Sequence, residues 1–132
     1  MSAEVINSKR FFQLWSYSVS HGELLFRSTK SELFPTRIDI LFKGVTEFHL
    51  PTISTDLSIT EASDIEIRDL YTLSPASSKD THVKVYVVKG RRARSVDDYL
   101  GYIIALAAFT HEDEGEYHEP SFFDSLMAPK FP

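Results

Sequence analysis

The chain has 132 residues, 42% of them hydrophobic and 25% charged, which is enough for one domain with its own core and too apolar for a disordered segment. A formal net charge of −5 argues against a nucleic-acid binder, which needs a basic face, and the lack of cysteine excludes disulfides, thiolate metal sites and a cysteine nucleophile. Ten Phe, six Tyr and one Trp suit pleated, half-buried surfaces, so strands are the first expectation.

Met1 to Asn7 shows no basic stretch leading into an apolar one, and the longest nearly apolar run, Tyr99 to Phe109, is too short to cross a bilayer. A cytoplasmic protein without membrane contact is expected. Phe11 to Val19 places Phe11, Trp15, Tyr17 and Val19 mostly on one face, and Ser20-His21-Gly22 turns the chain into Glu23 to Thr29. This predicts a hairpin with Gly22 at positive φ. Arg37 to Lys43 alternates Ile38, Ile40 and Phe42 with Arg37, Asp39 and Lys43, interrupted only by Leu41. That pattern predicts a strand with one buried face.

Val45 to Leu50 continues the β-character, with a bulge or bend expected at Gly44. Leu57 to Thr60 and Asp64 to Leu70 are further strands, and Leu73 to Asp80 is a loop. His82 to Lys89 predicts a strong strand with Val83, Val85 and Val87 on one side. Ser95 offers a helical start, yet Tyr102, Ile103, Ile104 and Phe109 favour a strand over Gly101 to Thr110. Phe122 to Met127 suits one helical turn, and 128–132 reads as a loose tail. Trp15, Phe26, Ile38, Ile40, Phe42, Val85 and Val87 are the expected core.

Catalytic signatures are missing from the pattern. The five glycines never cluster into a phosphate loop, no G-x-S-x-G elbow occurs, and Ser20 beside His21 reads as a turn residue. His111, Glu112, Asp113 and His118 are metal-capable, but their spacing matches no standard site, so a solvated acidic loop is expected with no metal and no cofactor. Two groups could recognise a partner. Arg27, Arg37 and Asp39 are charges embedded in apolar strands, read as a polar face with cross-strand pairs. Glu112, Asp113, Glu114 and Glu116 form an acidic segment, set against the basic cluster Lys89, Arg91, Arg92 and Arg94.

Val19-Ser20-His21-Gly22-Glu23-Leu24-Leu25-Phe26-Arg27-Ser28 with Arg37 to Val45, and Gly101-Tyr102-Ile103-Ile104 leading to His111-Glu112-Asp113-Glu114-Gly115-Glu116-Tyr117, resemble small stand-alone bacterial cytoplasmic β-proteins. Some of these are regarded as immunity proteins that bind and neutralise toxins. The resemblance covers about half the chain, transfers no site residues, and implies a binding protein rather than an enzyme.

The expectation is therefore a single mainly-β domain over 1–132, an antiparallel barrel or sandwich of about seven to nine strands with at most one or two helical turns. Its expected role is a non-enzymatic protein-interaction module, of immunity or regulatory type, with a protein partner or self-association. A small-ligand or lipid-binding β-barrel is the alternative, and a metal-dependent enzyme using the His111 to His118 segment is third.

Overall fold

The computed structural model describes residues 4–62, 83–92 and 97–127. The expected strand at Asp64 to Leu70, the loop at Leu73 to Asp80, the helical start at Ser95 and the tail at 128–132 lie outside them. The elements among these residues are β1 (Glu4–Ser8), β2 (Phe12–Ser18), β3 (Glu23–Ser28), β4 (Arg37–Lys43), β5 (Glu47–His49), β6 (Ile53–Glu61), β7 (Lys84–Arg92), β8 (Asp98–Ala105), β9 (Ala107–Asp113) and one helix, α1 (Phe122–Met127).

All nine strands join one antiparallel sheet in the order β5-β8-β7-β6-β2-β3-β4-β9, with β1 also pairing β6. The long strand β6 serves two partners: its start pairs β2 (Phe12 opposite Ser54) and its end pairs β1 (Ile6 opposite Ile59). Between these halves its register with β7 shifts, and Asp56 takes a positive φ of 52° there.

The strand reading of Gly101 to Thr110 holds, but the run is split at Leu106 into β8 and β9. The reason lies opposite. Gly44 sits between β4 and β5 at φ 66°, and a Cβ there would stand 2.6 Å from Leu106 carbons. Only glycine allows that backbone and that approach together. Both segments bend at the same place and stay paired on each side, Lys43 opposite Ala107 and Glu47 opposite Ile104. Leu106 N–H donates to Lys43 O and Thr46 N–H to Ile104 O, each at 2.9 Å, which carries the ladder through the bend.

The main core collects Phe12, Leu24, Phe26, Ile40, Phe42, Leu57, Ile59, Tyr86, Val88 and Ile103. Of the expected core, Phe26, Ile40, Phe42, Val85 and Val87 are buried, and Ile38 packs against it half-buried. Val85 and Val87 alternate with Tyr86 and Val88, and it is the latter pair that enters the main core.

Trp15 is a correction. It is 37% exposed, while Phe12 points inward and Leu14 packs against the core. Leu14 pairs Phe26 and Ser16 pairs Leu25, so Trp15 is the extra residue of a β-bulge. With Phe12 and Leu14 inward, alternation already turns Trp15 to the opposite face, over Arg27, and the bulge then returns Tyr17, opposite Leu24, to the main-core side. Trp15 and Tyr17 therefore do not share the face that the period-two reading gave them. The strand β1 was not anticipated at all; its five residues carry too little alternation to stand out.

Candidate functional site

β4 is buried on both sides, and its second face builds the most distinctive site among the described residues. Strands β3, β4 and β9 lie side by side in register. On the face turned away from the main core, Leu25, Leu41 and Phe109 form one row and Arg27, Asp39 and His111 the next. Arg37 and Asp113 stand opposite each other one step further along β4. The interruption at Leu41 is thereby explained: with Leu25 and Phe123 it forms a second, smaller apolar cluster.

Arg27, Arg37 and Asp39 do not line a wet face. All three are buried, Asp39 to 1% exposure. Arg27 grips Asp39 in two parallel hydrogen bonds of 2.7 and 3.0 Å, and its Nη1 donates to the carbonyls of Tyr117 and Glu119 at 2.9 and 3.2 Å. Arg37 grips Asp113 in the same way, at 3.0 Å for each bond. Its remaining donors reach the carbonyls of Glu116, Glu119 and Pro120 at 2.8–3.2 Å.

Such forked pairs suit guanidinium and carboxylate, and the leftover N–H groups satisfy backbone carbonyls that no strand partner reaches. Trp15 covers Arg27, with the guanidinium carbon 4.9 Å from its ring centroid. Gly115 is required by closeness, since a Cβ would lie 2.5 Å from the pinned Arg37 guanidinium.

A third arginine, Arg10, extends the clamp and was not singled out from the sequence. Its Nε donates to Ser28 Oγ and its Nη1 to Thr36 Oγ1, both at 3.0 Å; Nη2 donates to the Thr36 carbonyl. Its guanidinium lies 4.6 Å from the Phe34 ring centroid. Thr36 in turn donates its hydroxyl to Glu112, and Lys30 pairs with Glu116 at 3.1 Å. Loops 31–36 and 112–119 are thus tied into one surface. No local signal marks Arg10, because its partners come from distant strands and loops.

The acidic segment is consequently held inward by its carbonyls while its carboxylates face out. Glu112, Glu114, Glu116 and Glu119 are exposed, and Tyr117 among them is 60% exposed. Asp113 differs: both its oxygens accept from Arg37, and one also accepts the Gly115 N–H. His111 stacks on Phe122 at 3.8 Å between ring centroids. Among the described residues, no three His, Asp or Glu side chains group to hold a metal ion.

The chain reaches α1 through a reciprocal cap at Ser121 to Asp124. Asp124 accepts the Ser121 N–H at 3.1 Å, and Ser121 Oγ accepts the Phe123 N–H at 3.2 Å.

Hydrogen bonding from Arg37 holds the Asp113 carboxyl below its ordinary range against the effect of burial, helped by the Gly115 N–H and the charges of Arg37 and His111. Burial alone would lower the Arg37 guanidinium, but Asp113 and the charges of Asp39 and Glu119 outweigh it and raise the value. A carboxyl depressed by folding adds stability above its unfolded pKa, and that stability is lost as pH falls through the folded value. Asp113→Asn is therefore expected to destabilise the protein at pH 7, with the difference from the parent shrinking below about pH 4. Urea unfolding at both pH values checks this; a difference independent of pH would mean that the pair adds no linkage.

Comparison with protein-family models, curated proteins and solved structures gives no match. No relative assigns this site.

Proposed function

We propose that the protein is a non-enzymatic interaction module that recognises a basic protein surface through its acidic segment, with an immunity or regulatory role as the concrete form. The observation that carries this reading is the arginine clamp: Arg27 and Arg37 fix the loop by its carbonyls and leave Glu112, Glu114, Glu116 and Glu119 outside. A loop fixed before binding gives up little entropy on association, and exposed Tyr117 among the acidic side chains supplies the apolar contact such surfaces use. The small-ligand barrel is the weaker reading, because Phe12, Phe42, Tyr86 and Ile103 occupy the core where a ligand would sit.

In the same reading the paired bends at Gly44 and Leu106 roll the sheet toward a barrel, and the chain works in a bacterial cytoplasm. Self-association between the acidic segment and Lys89, Arg91 and Arg92 is the homomeric version. There, the exposed ion pairs of Arg91 with Asp56 and Asp98 compete with it.

Association is expected to slow as salt rises from 0.1 to 1 M, since the screening length falls from about 10 Å to about 3 Å. Reversing Glu114 and Glu116 to Lys should slow it at low salt while barely moving the melting temperature, because exposed pairs such as Lys30–Glu116 contribute roughly 0–1 kcal/mol. Adding Glu112→Lys, for a triple reversal, should slow it further and also lower the melting temperature, because Glu112 accepts from Thr36 and faces the buried Arg10. Light scattering tests self-association, and binding kinetics test a captured partner. Indifference to both salt and the triple reversal would remove the acidic segment from the interface.

A further inference from the structure

A groove of about 270 Å³ lies on the outer face of β2, β3 and β4, against the start of α1. We propose that it receives a single basic side chain, an arginine, of the protein partner that meets the acidic segment; the proposal rests on that reading of function. The floor is apolar, made by Leu25, Leu41 and Phe123, the same three residues that form the smaller cluster. The rest of the lining is polar and carries two acidic residues: Glu23 and Asp124, with Ser16, Ser18, His21 and Ser121. Among the described residues, no lysine or arginine lines it.

This combination matches one kind of group. An arginine side chain lays an aliphatic stem on apolar surface while its planar head takes hydrogen bonds and charge from carboxylates. Two carboxylates disfavour an anion, and the volume falls below the range of about 300–1,000 Å³ in which drug-sized ligands are enclosed. Asp124 is held in place by the Ser121 N–H, so one of the two carboxylates is set before anything binds.

Position links the groove to the acidic segment. Leu25 and Leu41 are two residues along the strands from Arg27 and Asp39, roughly 7 Å, and the clamped loop is fastened to those charges. A basic partner lying across the loop carries its next side chain to the groove.

The test is an amide-resolved NMR titration with N-acetyl-arginine amide against N-acetyl-citrulline amide at matched ionic strength; the second has the same shape without the charge. The expected result is a saturable shift at Ser16, Ser18, Leu25 and Phe123 with the arginine compound and none with the citrulline compound. Glu23→Gln with Asp124→Asn should weaken that binding tenfold or more at an unchanged melting temperature, since asparagine still offers Ser121 an acceptor. No saturable shift, an equal response to citrulline amide, or binding unmoved by the double substitution overturns the proposal. The acidic-segment reading fails on a different measurement, the salt response of association, so the two are separable.

Discussion

Asp39→Ala is expected to destabilise the protein by about 3–5 kcal/mol, because it leaves the Arg27 guanidinium buried without its counter-charge. The pair is not an ornament of the surface. Both side chains are almost fully enclosed, Arg27 at 2% and Asp39 at 1%, and they meet in two parallel hydrogen bonds. A companion variant, Arg27→Met with Asp39→Leu, removes both charges and keeps the volume. It should recover part of the loss but not all, since the Tyr117 carbonyl would lack the donor that Arg27 supplies, whereas Glu119 keeps its bond from Arg37. Chemical denaturation decides: a cost below about 1 kcal/mol for Asp39→Ala would place the pair with solvent-screened ion pairs.

Phe42→Ala is expected to cost about 3–5 kcal/mol for a different reason, the cavity left in the main core. Phe42 is fully buried and meets Tyr86 edge-on with ring centroids 5.4 Å apart, so two sides of the core lose contacts together. Its neighbours come from paired strands on both flanks, Leu24 of β3 and Ala108 of β9, and they are not free to collapse inward. The reading is equilibrium unfolding in urea. A loss near 1 kcal/mol would show that the site relaxes and that the inward phase of β4 matters less than its burial implies.

The β-class, the hairpin of β2 and β3, the span of β4 and the bend at Gly44 were legible because they depend on local pattern and on residues with restricted backbones. The second face of β4 was not. Arg37 and Asp39 alternate with Ile38 and Ile40 as they would on a solvated strand, and a face covered by a polar loop carries the same residue types as a face covered by water. Leu41 was the local hint. The covering partners sit 76 to 92 positions away along the chain, beyond any periodicity. Trp15 lies outward because Phe12 and Leu14 take the inward phase of β2, and the bulge after Leu14, which leaves no fixed composition behind it, separates Trp15 from Tyr17. The acidic segment was visible as charge, but its attachment by main-chain carbonyls to arginines could not be read from charge at all.

The separation of those partners also bears on the birth of the chain. Tyr117 and Glu119 follow Arg27 by 90 and 92 residues, so at about 5–20 residues per second the ribosome exposes the arginine roughly 5–20 seconds before the carbonyls that enclose it. During that interval β3 and β4 are a nascent apolar hairpin with Leu24, Leu25, Phe26, Ile40, Leu41 and Phe42 on view. Arg27, Arg37 and Asp39 are then hydrated charges set inside a sticky segment, the placement that restrains nascent strands from pairing with other chains. The same three side chains are expected to restrain aggregation while the chain is incomplete, and their enclosure waits for the last quarter of the polypeptide.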